Sequence, residues 1–344
     1  MDFNQVFIQR CIQLAESGLG HTKTNPLVGS VIVHNGVIIG EGWHQRYGEA
    51  HAEVNAIKSV KNPALLKDST LYVNLEPCAH FGKTPPCADL IIRHNIPRVV
   101  IGCRDSYSEV DGKGIGKLKA AGIDVTLGVL ADECRELNKR FFTFHEKKRP
   151  YIILKWAQTA DGFVDRVRNK KEKALKISSE LSTHQVHLWR SQEQAILIGK
   201  NTLIKDNPAL DARFGNSPSP TIVVLGYEKG DWQILKSDAA KMIFNKDKSE
   251  FEDIPSTTFY QAKNLNEVLS KLYASNICSV MVEGGTKVLE SFIAENLWDE
   301  IRLIKSNTTI GKGVKAPELN TDILKKKVLL ADDFINPELS VFVN

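Results

Sequence analysis

Cysteine is scarce in this chain: six in 344 residues, at positions 11, 78, 87, 103, 134 and 278, too few to staple a fold of this length. Long apolar runs are absent too, and no stretch reaches the roughly 20 residues that a membrane-spanning helix requires. The first twenty residues, MDFNQVFIQRCIQLAESGLG, have neither the basic start nor the unbroken apolar run of a secretory signal. The expected compartment is therefore the cytoplasm, where cysteines that come together bind metal or do chemistry more often than they bridge. An excess of one charge is also missing, with 45 Lys and Arg against 41 Asp and Glu, scattered along the chain. Dedicated nucleic-acid binders carry a basic stripe, so neither a nucleic-acid nor a membrane partner is expected, while a small phosphorylated substrate remains compatible. There is no short-period repeat and no low-complexity tract. The sequence leaves open whether the chain forms a homo-oligomer.

What is present is enough for two domains, since 344 residues exceed a typical single one. Phe3, Val6, Phe7, Cys11 and Leu14 recur at helical spacing and predict a first helix that stops before Gly18 and Gly20. VGSVIV and VIIGEGW flank His34-Asn35-Gly36, and Asn-Gly is the favoured hairpin turn. A helical pattern follows His51. TLYVNL, RVVIGC and DVTLGV then alternate with CADLIIRH, GIGKLKAA and ADECRELNKRFF, which predicts a largely parallel sheet covered by helices. Residues 145–150, polar and closed by Pro150, predict a linker. A second alternating series begins with YIILKWA and continues through QAILIG, TIVVLG, KMIF, SVMVEGG and EIRLIKS. Between them NLNEVLSKLYA predicts a helix capped by Asn264 or Asn266, and VLLAD and LSVFV close the chain as strand candidates.

The chemistry concentrates in His51-Ala52-Glu53 and in Glu76-Pro77-Cys78 with Cys87. One imidazole and two thiolates give zinc three ligands and leave the fourth tetrahedral position to water, as catalytic rather than structural sites do. Zinc brings the pKa of that water toward roughly 7. Glu53 is the candidate for moving its proton to a departing amine, a role that this signature carries in zinc deaminases. His51 and Cys87 each begin a predicted helix, whose free N–H groups favour a thiolate. Alternative readings are two buried apolar cysteines, or ligation by His44 or His80. Positions 51 and 53 do not share a helix face, so their convergence has to come from first-turn geometry.

The string Glu76-Pro77-Cys78-Ala79-His80-Phe81-Gly82-Lys83-Thr84-Pro85-Pro86-Cys87 resembles the bifunctional riboflavin-biosynthesis family, a diaminohydroxyphosphoribosylaminopyrimidine deaminase joined to a 5-amino-6-(5-phosphoribosylamino)uracil reductase. Asn25-Pro26-Leu27-Val28-Gly29, Gly112-Lys113-Gly114-Ile115 and Arg149-Pro150-Tyr151 resemble it as well, and the similarity spans essentially the whole chain. Ala79 stands where serine is expected. The resemblance implies an α/β fold in two parts. Residues 1–147 would form a cytidine-deaminase-like α/β/α zinc domain, and residues 148–344 a dihydrofolate-reductase-like α/β domain that uses NADPH. It implies hydrolysis of the 2-amino group of 2,5-diamino-6-(ribosylamino)-4(3H)-pyrimidinone 5′-phosphate, then reduction of the ribosyl group to ribityl. Asn25 and His44 would touch that substrate, and Lys83 and Thr84 offer a cation and a hydroxyl to its phosphate.

In the second half the bottom-up signal is a glycine pair, Gly284-Gly285, between strand-like SVMVE and a helical stretch, where backbone N–H groups can approach a phosphate. The resemblance adds cofactor contacts at Gln158, Lys176, Thr202 and Asp206, and along Gly285, Thr286, Lys287, Val288, Leu289, Glu290 and Ser291. Substrate contacts would come from Ala174, Arg190, Leu210, Arg213 and Glu283, the arginines suiting a phosphate through their bidentate fork. Lys176 stands where the family has an aromatic residue, and it offers a partner for the extra phosphate of NADPH. Two competing readings are a deaminase of another nucleobase-like substrate with a non-catalytic C-terminal binding domain, and an RNA-editing module. The second predicts a basic, aromatic-studded face that the sequence lacks.

Overall fold

The computed structural model describes residues 2–79, 85–107, 110–169, 172–213, 219–246, 254–320, 327–328 and 339–344. The chain divides into two compact units, residues 1–148 and 149–344.

The first unit opens with α1 (Phe3–Glu16), capped by the Asp2 carboxylate on the Asn4 N–H. Its buried face is Phe7, Ile8, Cys11, Ile12, Leu14 and Ala15, whereas Phe3 and Val6 are exposed. The predicted stripe thus rotates by about one position, because Ile8 and Ile12 complete a better apolar arc. β1 (Gly29–His34) and β2 (Val37–Trp43) form the expected hairpin. Asn35 and Gly36 both have positive φ, the primed turn that matches strand twist. Next come α2 (Ala52–Ser59), β3 (Thr70–Leu75), α3 (Cys87–Arg93), β4 (Arg98–Cys103), α4 (Lys113–Ala120), β5 (Asp124–Leu127), α5 (Ala131–Leu137) and α6 (Lys139–Lys147).

Among the described residues the sheet order is β2-β1-β3-β4-β5. Only β3, β4 and β5 are parallel; β1 pairs antiparallel with both β2 and β3. The largely parallel sheet expected from alternation is therefore mixed, since a two-residue turn can join only antiparallel strands. Side chains alternate across it as pleating requires. Tyr72 and Val100 face α1, α5 and α6, while Leu71, Val73, Val99 and Ile101 face α2, α3 and α4. The result is a three-layer α/β/α unit. Residues 145–147 belong to α6, where His145 packs on Phe141 and Phe144. The predicted linker shrinks accordingly to Lys148-Arg149-Pro150.

The second unit contains β6 (Tyr151–Gln158), β7 (Phe163–Asp165), α7 (Glu180–Gln192), β8 (Ala195–Gly199), α8 (Lys200–Asp206), β9 (Thr221–Leu225), β10 (Lys241–Asn245) and β11 (Thr257–Gln261). α9 (Leu265–Ala274), β12 (Ser279–Val282), α10 (Thr286–Ala294), β13 (Glu300–Lys305), β14 (Val314–Lys315), β15 (Lys327–Val328) and β16 (Leu339–Val343) complete it. Asn264 caps α9 on the Glu267 N–H. Of VLLAD only Val328 falls among the described residues. The main sheet runs β11-β10-β9-β8-β12-β6-β13-β16-β15, parallel from β11 to β13 and antiparallel beyond. α9 and α10 cover Ile152, Leu154 and Val282 on one face; Val186 and Trp189 of α7 cover Ile153 and Met281 on the other. Open parallel sheets of this kind bind ligands beyond the carboxyl ends of their strands. Lys155, Gly199 and Glu283 lie at or near those ends.

Candidate active sites

In the first unit, His51, Cys78 and Cys87 offer three ligand atoms within 4.8 Å of one another, the group able to hold a metal among the described residues. His51 Nδ1 lies 3.6 Å from Cys78 Sγ and 3.3 Å from Cys87 Sγ. Zinc at about 2.3 Å from sulfur and 2.0–2.1 Å from nitrogen implies a tetrahedral N–S edge of about 3.6 Å. The donors therefore already stand at the separations that zinc would impose, and the set fits the metal. Thiolate formation is prepared. The Cys87 N–H, at the start of α3, donates to Cys78 Sγ at 3.3 Å. Hydrogen bonding with Cys87, then with His51, holds the Cys78 thiol down to about 4 against the effect of burial. The same Cys78 bond, reinforced by burial, pushes Cys87 up. Both sulfurs would be thiolates in a metal-bound site, so metal binding would release protons.

Backbone geometry also answers how residues 51 and 53 converge. His51 is the N-cap of α2, with extended φ and ψ of −71° and 164°, so its side chain leaves before the helical rotation begins. Glu53 sits inside the first turn, 3% exposed, and interacts with both His51 and Cys87. Burial raises its carboxyl, which suits a group that must gain and lose a proton near neutral pH.

Asn25 and His44 lie beside this cluster. His44 Nδ1 is 3.1 Å from the Ala50 carbonyl, which can only accept, so this nitrogen carries the hydrogen. Nε2 is then the acceptor for the Asn25 amide, 3.0 Å away. Both ring nitrogens are engaged, which removes His44 as a metal ligand; its ring stands edge-on to His51 with centroids 5.6 Å apart. Burial lowers the His44 pKa and favours the neutral ring. The Asn25 oxygen is thereby presented as an acceptor. His80, Lys83 and Thr84 lie outside the described residues.

Glu76 performs a task that motif spacing does not reveal. Its carboxylate accepts N–H groups from Gly112 at 3.0 Å and Ile115 at 3.1 Å, capping α4 from across the fold. A Cβ on Gly114 would overlap the Pro77 carbonyl, so the metal loop rests directly on that helix.

In the second unit Arg190 and Glu283 meet in a bidentate pair, 2.7 Å and 2.8 Å long. Lys155 Nζ lies 3.7 Å from Glu283, and all three side chains are largely buried. Burial would raise the Glu283 carboxyl, but Arg190 and Lys155 outweigh it and hold it at about 2. Lys155 sits inside the apolar run YIILKWA, where its sequence neighbours give no sign of this partnership. Arg190 also donates to the Asp211 carbonyl at 3.2 Å, and Arg213 pairs with the Asp211 carboxylate at 3.0 Å. Leu210 is buried with a φ of 55° and turns the chain toward them.

Around the glycine pair, Gly285 has a φ of 58° and precedes α10, and a Cβ there would stand 3.2 Å from Thr202 Oγ1. Two expected cofactor positions are thus neighbours. Thr286 Oγ1 donates to the Lys315 carbonyl at 3.0 Å, Val288 packs toward Gly199, and Lys287, Glu290 and Ser291 lie on the exposed side of α10. The Leu289 side chain is in the core, and Asp206 is engaged by Arg168. Gln158 accepts the Trp156 indole N–H at 2.8 Å. Ala174 and Lys176 are exposed.

Residues 1–103 match the model of the cytidine and deoxycytidylate deaminase zinc-binding region, and residues 150–331 match the RibD C-terminal domain. The chain is 37% identical over 344 residues to the riboflavin biosynthesis protein RibD of Aquifex aeolicus, covering 95% of each. With the Bacillus amyloliquefaciens protein of the same name identity is 38% over 329 residues, 92% of this chain and 87% of the other. The crystal structure of a diaminohydroxyphosphoribosylaminopyrimidine deaminase/5-amino-6-(5-phosphoribosylamino)uracil reductase from Thermotoga maritima superposes with a TM-score of 0.86 at 34% identity. It covers 99% of this chain and 97% of that one.

Proposed function

We propose roles for individual residues on one premise: the chain belongs to the RibD family of bifunctional riboflavin-biosynthesis enzymes, which join a zinc-dependent deaminase to an NADPH-dependent reductase. Residues 1–147 form the deaminase domain and residues 148–344 the reductase domain. The substrate is the diaminopyrimidine ribosyl 5′-phosphate, deaminated at its 2-amino group and then reduced from ribosyl to ribityl. The cytoplasm is the compartment we assign; none of the six cysteines is joined in a disulfide.

His51, Cys78 and Cys87 would hold zinc, which when bound would polarise water enough for attack near neutral pH. Glu53 takes a proton from the attacking water and returns it to the departing amine. Asn25, its amide fixed by neutral His44, accepts a hydrogen bond from a ring N–H and sets the pyrimidine's orientation. Lys83 and Thr84 are assigned to the phosphate on their chemistry.

When bound in the second unit, NADPH would supply a hydride. The Gly284-Gly285 turn, the N-terminus of α10 and Thr202 would hold its phosphates. Arg190 and Arg213 hold the substrate, and Glu283 keeps Arg190 aligned. Lys155, its ammonium against Glu283, delivers a proton to the opened sugar. Burial lowers the Lys155 pKa and so eases that release.

The observation that carries the two-activity reading is that each unit has its own buried, charge-bearing cluster: the His51–Cys78–Cys87 group with Glu53, and the Lys155–Arg190–Glu283 group. The test is to give the purified protein the deaminated phosphate with NADPH and follow cofactor absorbance. Oxidation is expected. None would reduce the second unit to a binding module.

A further inference from the structure

Two buried asparagines, neither used in the chemistry above, grip the segment that carries Asn25. Asn74 lies within β3 and is fully buried; Asn138, between α5 and α6, is 2% exposed. The Asn138 oxygen accepts the Leu27 N–H at 2.7 Å, and its amide donates to the Leu27 carbonyl at 2.9 Å. The Asn74 amide donates to that same carbonyl at 3.0 Å, and its oxygen accepts the Gly29 N–H at 2.8 Å. Residues 25–28 belong to no helix or strand, so their inward backbone groups have no ladder to join and must find partners elsewhere. Three side-chain hydrogen bonds supply those of Leu27, and a fourth anchors Gly29 at the start of β1. Asparagine is a poor strand former, and a buried amide is costly unless satisfied. Both costs are met here by one feature, the grip on Leu27 and Gly29.

We propose that Asn74 and Asn138 are positioning residues for the deamination, a clamp that fixes the Asn25-Pro26-Leu27 turn so that Asn25 meets the pyrimidine. The inference rests on the assignment of Asn25 to the pyrimidine. Leu27 follows Asn25 by two residues, about 7 Å of chain at most, and Pro26 between them has a locked φ. Holding both backbone groups of Leu27 therefore holds Asn25 where His44 can orient it. Asn25 touches the ring in the ground state and the transition state alike, so loosening its support reads out in KM rather than in kcat.

The test uses the full-length, zinc-loaded protein. Asn138→Ala removes both bonds to Leu27; Asn138→Asp keeps the acceptor for the N–H and sets a second acceptor against the carbonyl. The pyrimidine KM should rise roughly tenfold in Asn138→Ala and severalfold in Asn138→Asp as the competent loop population falls, with kcat within about twofold. Zinc content and the reductase rate should stay unchanged. Asn25→Ala is the reference and should raise KM at least as far. If it does and the Asn138 variants do not, the clamp is overturned; if it does not, the proposal falls at its premise. Amide hydrogen exchange on the unsubstituted protein covers the case of variants that fail to fold. The Leu27 amide, outside any strand, should exchange as slowly as the strand amides of β1 and β3, and exchange at open-loop rates would overturn the clamp.

Discussion

Replacing Glu283 with glutamine removes one charge from the Lys155–Arg190–Glu283 cluster while keeping its shape. In the native protein two charged hydrogen bonds of 2.7 Å and 2.8 Å join Glu283 to Arg190, with Lys155 at 3.7 Å. At such separations a charge pair is worth about 4–6 kcal/mol before desolvation at an effective dielectric near 20, and breaking a buried pair costs about 3–5 kcal/mol because one charge is stranded. Glutamine keeps one acceptor, so the lower figure of about 3 kcal/mol applies. The second unit spans 149 to 344, which is 344 − 149 + 1 = 196 residues, and at that size each kcal/mol moves the melting temperature by about 2–4 °C. Calorimetry at pH 7 should show its transition fall by roughly 6–12 °C. The pH dependence has a definite sign. Glu283 titrates at about 2 in the fold against an ordinary 4.5, so its contribution is present above 4.5 and is lost as pH falls toward 2. The gap between wild type and variant should narrow on acidification. Arg190→Met should cost a similar amount, and the double variant less than the sum. An unchanged transition at pH 7, or a gap that widens in acid, would refute the reasoning.

Glu53→Gln should keep the zinc and the fold but cut deamination by roughly 10²–10⁴-fold, with reduction untouched; the two half-reactions assayed separately decide it. Gly285→Ala puts a side chain at a φ of 58° and 3.2 Å from Thr202 Oγ1, so the KM for NADPH should rise while the deaminase is unaffected. Steady-state kinetics with varied cofactor would expose an unchanged value. Gly114→Ala drives a methyl into the Pro77 carbonyl beneath the metal loop; zinc affinity, measured by chelator competition, should fall about 10–100-fold, as when a metal's outer support is lost. Retained affinity would mean that the loop does not lean on α4.

Much of the molecule is legible in its sequence, for local reasons. Asn35-Gly36 names its own turn, the cap of α9 narrows to Asn264 or Asn266, and His51, Cys78 and Cys87 come together because two of them begin helices and the third follows β3. Other features depend on partners far along the chain. Lys155 hides inside an apolar strand and gains meaning only when Glu283, 128 positions on (283 − 155), comes beside it. Glu76 looks like motif filler until Gly112 and Ile115 turn their N–H groups to it. Asn74 and Asn138 look like weak strand and turn residues, and their shared target, Leu27, is 111 positions from the second. β7, β11 and β14 are short and lack the alternation that marks a strand. Residues 145–147 look like linker by polarity, yet three phenylalanines earlier in the same helix carry α6 through them.

The most direct test of the account is to strip the metal from the intact protein with a chelator and follow zinc content, deamination and reduction on the same sample. About one zinc per chain should bind at the His51–Cys78–Cys87 group. Deamination should vanish on stripping and return on readdition, while reduction of the deaminated phosphate by NADPH runs on unchanged. A stripped protein that still deaminates at full rate would contradict the account.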